Sequence, residues 1–524
     1  MAGKIETFDT TLRDGTQGEG VNLSLEDKLR IAQRLDDFGI DFIEGGWPGS
    51  NPKDIGFFQR AKDVQFKHAK LCAFGSTRHA RNKVEEDPNV CALIEAETAA
   101  VSIFGKTWDL HVTNALRIKL EDNLDMIRDT VRFLKENGRI VIYDAEHFFD
   151  GYKNNPDYAL QTVKAACEAG ADVLAFCDTN GGTMPHEITE IVTKMRNELD
   201  GALGIHAHND AGCGIANSLA AIKAGCTHVQ GTFNGFGERC GNADLSSVLP
   251  NLMYKMGYDV IEPEQMQTIA GLSMFISELA NVPLKHNQPF VGMSAFAHKG
   301  GIHVSAVQRD SKTYEHIDPA MVGNRQRILV SELSGQSNIF HMLKNMGIEV
   351  DKSSPVAKNV LTKVKSLENE GYFFEAAEAS LELLIRKELG EYNSHFDMVA
   401  YRVLVDQHSS GDLWSEATVR LTVDGDSFFM AGEGDGPVNA LDNALRKALL
   451  EKYPQLSEVR LTDFKVRIID TGRSTAAKTR VMIESTDGVS DWITIGVSEN
   501  IIEASWEALV DSIEYKLLLD DKAK

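Results

Sequence analysis

Gly204-Ile205-His206-Ala207-His208-Asn209-Asp210-Ala211-Gly212 runs directly into Cys213-Gly214-Ile215-Ala216-Asn217-Ser218-Leu219-Ala220. The first half reads as a strand, the second as a tight turn opening a small-residue helix. Residues two apart on a strand point the same way, so His206 and His208 face one point at the strand's C-terminal end. Two imidazoles held in this way suit a divalent cation of the zinc, manganese or magnesium range. A bare His-x-His is also what two loop-edge histidines satisfied by their neighbours look like, so the reading turns on the rest of the chain.

The same strand–turn–helix unit recurs from Ile5 to about Met256. Strands are expected at Ile5–Phe8, Phe42–Glu44, Leu71–Phe74, Ala100–Ile103, Ile140–Tyr143, Val173–Cys177, Leu203–His206 and His228–Thr232. Helical patterns lie between them at Leu25–Phe38, Asp54–Val64, Asn123–Asn137, Tyr158–Ala169, Pro185–Glu198, Ile215–Ala224 and Leu245–Met256. Such alternation over about 250 residues predicts a closed parallel (β/α)8 TIM barrel of the α/β class. An open doubly wound sheet is the rival, and no Gly-x-Gly-x-x-Gly follows the first strand to support it.

Barrels of this kind carry their chemistry at the C-terminal ends of the strands. The first strand ends in Asp9-Thr10-Thr11-Leu12-Arg13-Asp14-Gly15-Thr16-Gln17, the fifth in Asp144-Ala145-Glu146, the sixth in Asp178-Thr179-Asn180. Asp14, Glu146, Thr179, His206 and His208 are therefore expected at one mouth. A carboxylate beside two imidazoles completes a facial set with open positions for a bidentate substrate. The neighbouring Arg13 suits a keto oxygen or a developing oxyanion, though an Arg-Asp pair is often only a surface ion pair. Gln17 is read as fixing that guanidinium or the metal's surroundings, or as a loop cap. Glu146 can serve as a base or orient a water, or be a solvated strand-end residue. Thr179 can bind a substrate carboxylate or cap its loop. In the Lys-Gly-Gly-Ile-His loop, His303, with Tyr314 further on, can reach a neighbouring mouth for proton transfer, or be without function.

Length and composition set bounds. With 524 residues the chain exceeds one ordinary core, so two or three domains are expected. We place them at 1–257 for the barrel, 258–390 for linker subdomains contributing to the site, and 391–524 for a C-terminal module. That module reads as an α+β strand-strand-strand-helix unit written twice. Its strands fall at Met398–Val405, Ala417–Val423, Ser427–Ala431, Val459–Ile469, Thr479–Ser485 and Trp492–Val497, its helices at Val438–Lys452 and Ile501–Leu518. The glycines of Gly432-Glu433-Gly434-Asp435-Gly436-Pro437-Val438 resemble a phosphate loop, but Glu433 and Asp435 would repel a phosphate, which leaves at most a small effector pocket. A net charge of -23 argues against nucleic acid and anionic membranes. Seven scattered cysteines without a Cys-x-x-Cys suit a reducing compartment. No apolar leader or spanning run is present, so a cytoplasmic location is expected.

Three motifs resemble one family. Leu12-Arg13-Asp14-Gly15-Thr16-Gln17 with Lys28 downstream, His206-Ala207-His208-Asn209-Asp210-Ala211-Gly212, and Gly237-Glu238-Arg239-Cys240-Gly241-Asn242 are similar to the α-isopropylmalate, homocitrate and citramalate synthases of the metal-dependent DRE-TIM barrel group. Gly434-Asp435-Gly436-Pro437-Val438-Asn439-Ala440 looks like the regulatory (LeuA-type) domain of the same family. The resemblance implies that Asp14, His206, His208 and Asn242 hold the metal, that Arg13 polarises a 2-oxoacid, that Thr179 binds its carboxylate, and that Glu146 helps enolise acetyl-CoA. It implies that His303 and Tyr314 are lent by the partner of a homodimer, and that an amino acid binds the C-terminal domain. The wording around Gly45–Pro52 and Asp144–Gly151 looks more like the citramalate branch, which implies pyruvate as oxoacid, isoleucine as effector, and 2-oxoisovalerate as the alternative oxoacid. Phe104, near the fourth strand's end, would shrink the pocket to a methyl group. A retro-aldol lyase on the same barrel and a non-catalytic amino-acid sensor are the rival classes. The appended module disfavours the first, and the intact Arg13, Asp14, Glu146, His206 and His208 disfavour the second.

Overall fold

The computed structural model describes residues 3–299, 301–307, 309–328, 355–374, 377–407, 413–469 and 477–523. They divide into two compact units, Met1–Phe296 with Glu315–Gln326, and Ala297–Tyr314 with Arg327–Lys524.

The first unit is the closed parallel barrel that the alternation predicts. Its strands follow chain order: β1 (Glu6–Asp9), β2 (Phe42–Gly46), β3 (Lys70–Ser76), β4 (Ala100–Lys106), β5 (Ile140–Glu146), β6 (Val173–Asp178), β7 (Ala202–Ala207) and β8 (His228–Gly231). Pairing of Phe8 with Gln230 and of Asp9 with Gly231 closes β1 on β8. Phe8, Phe42, Cys72, Ala100, Ile142, Val173 and Ala175 fill the inside of the barrel as one apolar layer. His228 is wholly buried beside the Phe8 and Phe42 rings. Because strand side chains alternate, the residues two steps further along face inward again. Those are Glu44, Phe74, Ser102, Asp144, Cys177, His206 and Gln230. A floor of hydrocarbon thus supports a largely polar storey; two more steps bring Phe104, Glu146 and His208 toward the rim, and Lys106 stands two beyond Phe104, level with Glu146.

Outside, the helices cover the strands. Helix Leu25–Phe38 starts at a Ser24–Asp27 capping box and stops at Gly39, whose φ of 95° suits glycine. Two short helices, Pro88–Glu95 and Phe148–Asn154, were not anticipated, because fewer than three turns carry too little periodicity to read. The helix expected over Leu245–Met256 ends at Pro250 and continues as a wide turn over Asn251–Lys255. Among the described residues no helix is long and apolar enough to cross a membrane.

In the second unit the repeated module forms as read. Asp397–Gln407, Leu413–Val423 and Asp426–Gly434 make one antiparallel sheet, followed by helix Pro437–Leu449. Arg460–Ile468, Thr479–Thr486 and Asp491–Ser498 make the other, followed by helix Ile501–Ala523. Gly432 and Gly434 have a packing reason. A Cβ at either would lie 2.4–2.5 Å from the backbone of the helix that follows, at Ala444 N or Ala440 N. Close strand–helix approach, rather than a ligand, accounts for these two glycines.

His395 ties this unit together through Nδ1 to Glu514 at 2.7 Å and Nε2 to Asp521 at 3.0 Å. The hydrogen bond to Glu514, aided by Asp521 and opposed by burial, raises its pKa above the ordinary imidazole value. A raised folded-state pKa gives stability that is complete below the unfolded value of about 6.5 and is lost as pH rises through the folded value. The difference in melting temperature between the native chain and His395→Gln should therefore be larger at pH 6 than at pH 9. Equal differences at both would show that the ring acts only by packing.

Candidate metal and substrate site

Asp14 follows β1, where Gly15 and Gln17 continue the chain as a single tight turn. Its Oδ2 lies 3.4 Å from His206 Nε2 and 3.9 Å from His208 Nε2, and the two imidazole Nε2 atoms are 3.4 Å apart. All three are buried, and among the described residues they form the group whose spacing suits a metal ion. Asp14 Oδ1 and Asn242 Oδ1 are buried with no hydrogen-bond partner, an expensive arrangement unless something else occupies those lone pairs. Asn242 reaches the cluster through a backbone bridge with His208, and its Nδ2 donates to Phe236 O at 3.0 Å. The loop before it is glycine for cause: Gly241 has φ 83°, and a Cβ there would meet Gly235 O at 1.9 Å.

A polar chain beneath orients His206. Ser102 Oγ donates to Asp144 at 2.6 Å, Gln230 Nε2 donates to the other oxygen of Asp144 at 2.9 Å, and Gln230 Oε1 meets His206 Nδ1 at 2.9 Å. Gln230's amide is thus turned oxygen-first to the ring, which places the imidazole proton on Nδ1 and leaves the Nε2 lone pair toward Asp14.

Arg13 supplies the charge. Its Nε donates to Glu44 at 2.7 Å, Nη1 lies 3.2 Å from Asp14 Oδ2, and the guanidinium sits 3.7 Å over the Phe74 ring. Burial works to neutralise Arg13, but Glu44 and Asp14 outweigh it and hold it firmly charged. Burial likewise pushes the Asp14 carboxyl up, and Arg13 with His206 and His208 overcomes this and holds it far below the usual range. For His208, burial and the neighbouring His206 lower the pKa to about 4, so its ring is neutral near pH 7. Burial opposes charge on His206 as well, but the facing Asp14 carboxylate, which could accept from Nε2 only once that nitrogen is protonated, raises its pKa.

The remaining expected residues separate into three groups. Phe104 stacks on Phe74 at 5.5 Å and meets Trp47 edge-on at 5.8 Å, so it belongs to the aromatic wall beside Arg13. Glu146, at the end of β5, pairs with Lys106 at the end of β4. Thr179 Oγ1 accepts the N–H of His147 at 2.9 Å, while Arg239 donates to Thr179 O and to Asp210, both at 2.7 Å. Glu146 ends β5 and His206 stands near the end of β7, so both belong to the C-terminal mouth of the closed parallel barrel. Gln17 is exposed, and Glu44 and Phe74 hold the guanidinium in its place. His303 and Tyr314 belong to the second unit, where their rings stack on each other at 4.2 Å.

Sequence reasoning missed Glu44, Asp144 as a support, Gln230 and Lys106. Glu44, Asp144 and Gln230 had a signal, a charged or amide residue inside a strand whose neighbours are apolar or glycine; Lys106, at the end of β4, did not. Lys28, of the first motif's downstream text, is buried and bonds Asp54 at 2.5 Å, fastening the loop after β2.

Comparison with known proteins fits this picture. Residues 4–274 match the HMGL-like family, 290–372 the homocitrate synthase post-HMGL domain-like family, and 375–517 the LeuA allosteric (dimerisation) domain. The class is thereby set as an HMGL-like barrel carrying a LeuA-type module. The chain is 58% identical to the (R)-citramalate synthase of Aquifex aeolicus, over 100% of this chain and 99% of that protein. With the (R)-citramalate synthase of Geobacter sulfurreducens it shares 53% over 98% and 97% of the two chains. A probable 2-isopropylmalate synthase of Methanopyrus kandleri is more distant, at 33% over 98% of each. The chain belongs to the (R)-citramalate synthase family.

The Arg13–Glu44 pair yields a direct test. Glu44→Gln leaves a buried guanidinium half-compensated, at a cost of about 3 kcal/mol. A lowered urea midpoint for the barrel is expected; an unchanged midpoint would show the pair to be dispensable for stability.

Proposed function

We propose that this chain condenses acetyl-CoA with pyruvate and water to give (R)-citramalate and CoA, as a cytoplasmic, feedback-regulated homodimer. The observation that carries the reading is the buried Asp14–His206–His208 cluster with Arg13 laid against Phe74. Asp14, His206, His208 and Asn242 would hold one divalent ion of the zinc, manganese or magnesium range. Their fit rests on the orphaned oxygens of Asp14 and Asn242 and on the tautomer that Gln230 imposes on His206. When bound, such an ion supplies Lewis-acid polarisation to an oxoacid chelated through its carboxylate and keto oxygen.

The chain's own groups then divide the work. Arg13 stabilises charge developing on the keto oxygen, in a dry setting where that interaction is strong. Thr179, whose oxygen accepts from His147 N–H, would donate its O–H to the oxoacid carboxylate. Phe74, Phe104 and Trp47 crowd the side-chain end and favour a methyl over a branched group. Glu146 takes a proton from the acetyl methyl, a weak acid that reacts only when base and acceptor are both in place. Hydrolysis of the resulting thioester releases CoA. His303 and Tyr314, paired by stacking, are read as groups lent to the partner's mouth for proton transfer. Isoleucine, the product of the route this reaction would open, is read as the effector of the C-terminal module.

Initial rates with pyruvate, 2-oxobutanoate, 2-oxoisovalerate and 2-oxoglutarate test the reading, and pyruvate should be preferred. A preference for 2-oxoisovalerate would favour 2-isopropylmalate synthesis instead. Phe104→Ala should shift selectivity toward the branched acid by one to two orders of magnitude, since about 1–3 kcal/mol attends each methylene. Exhaustive chelation should abolish CoA release and restored divalent ion should recover it; full activity without metal refutes the site. Saturating isoleucine should slow the enzyme, and indifference to it removes that effector.

A further inference from the structure

We propose that Lys106 is the electrophile of the enolisation step, neutralising the thioester oxygen as Glu146 removes the methyl proton. This rests on the condensing reading given above. Lys106 and Glu146 are register partners and the last residues of β4 and β5. Their backbones are pinned, Lys106 O by Asn123 Nδ2 at 2.8 Å and Glu146 O by Thr107 Oγ1 at 2.6 Å. Their side chains form an ion pair, each about a fifth exposed, so both are open to a substrate while partly shielded from water. The ammonium also lies 5.3 Å from the Phe104 ring, on the aromatic wall.

Charge conservation gives the pair a purpose. As the methyl C–H bond breaks, its proton goes to Glu146 and its electron pair forms the C=C bond of the enolate. The carbonyl π pair moves onto the thioester oxygen. Glu146 becomes neutral at the moment that oxygen becomes negative. Lys106 therefore exchanges one anionic partner for another, and the net charge of the group is the same before and after. A cation held in place beside the base and partly shielded from water needs little reorganisation, the condition under which electrostatic stabilisation is effective. The enolate carbon then attacks the keto carbon, and the thioester C=O re-forms. His111, packed edge-on to His147 at 4.4 Å, has its pKa lowered by burial, then by His147 and by Lys106.

Steady-state CoA release from acetyl-CoA and pyruvate by Lys106→Met, Lys106→Gln and Lys106→Arg tests this. Lys106→Met and Lys106→Gln should lower kcat by about 10²–10³-fold, as removal of one oxyanion donor does. The pyruvate KM should change little, and Lys106→Arg should recover at least part of the loss. With trideuterated acetyl-CoA the isotope effect on kcat should grow in Lys106→Met, because proton removal becomes slower relative to other steps. The proposal is overturned if Lys106→Met keeps near-native kcat. It is equally overturned if Arg rescues nothing and the isotope effect is unchanged, since Lys106 would then only hold Glu146 in place. Absence of CoA release by the native enzyme with every oxoacid would instead condemn the condensing reading itself.

Discussion

Asp14 stays ionised where burial alone would neutralise it, and the mouth of the barrel depends on that. The anion survives because Arg13 stands beside it and two imidazoles face it. Arg13 stays buried because Glu44 and Phe74 hold it from the other side. Removing a carboxylate from this row leaves an uncompensated charge in a low dielectric, so the row stands or falls together. The electrostatic field that a substrate meets is therefore built into the fold before any substrate arrives.

Much of this could be read in the chain and some could not. Parallel-barrel architecture was legible because eight strand patterns recur with helical text in all but one of the intervals, and the C-terminal repeat because it is written twice. Asp14, His206 and His208 were legible because a strand's twofold period and a barrel's geometry bring those positions to one end. The supports were harder. Glu44, Gln230 and Asp144 act by contacts with residues far along the chain, and Gln230 meets Asp144 across 86 positions. Local pattern carries no such information. Gln17 shows the converse: of its readings, a brace for Arg13 or the metal's surroundings or a loop cap, the first is taken by Glu44 and Phe74, and the turn after Asp14 leaves the Gln17 side chain exposed.

Glycine had two meanings here that sequence alone did not separate. In the segment before Asn242, Gly241 combines a left-handed backbone with a carbonyl where a Cβ would stand. In the segment ending the 426–434 strand, the glycines only let a helix approach. Both look like ligand loops when written as letters. Space on the far side of the missing Cβ decides between them, and that space is a tertiary property.

The two-step layering inside the barrel links drift in the core to chemistry. Arg13's aromatic bed, the Asp144–Gln230 brace and the paired rim residues all stand directly above Phe42, Cys72, Ala100, Ile142 and Val173. Those hydrocarbon side chains act as shims that set the height of the reactive groups. Substitutions among them that change the layer's thickness would move the reactive groups above as well as the packing, so this foundation couples the core to the geometry of the mouth.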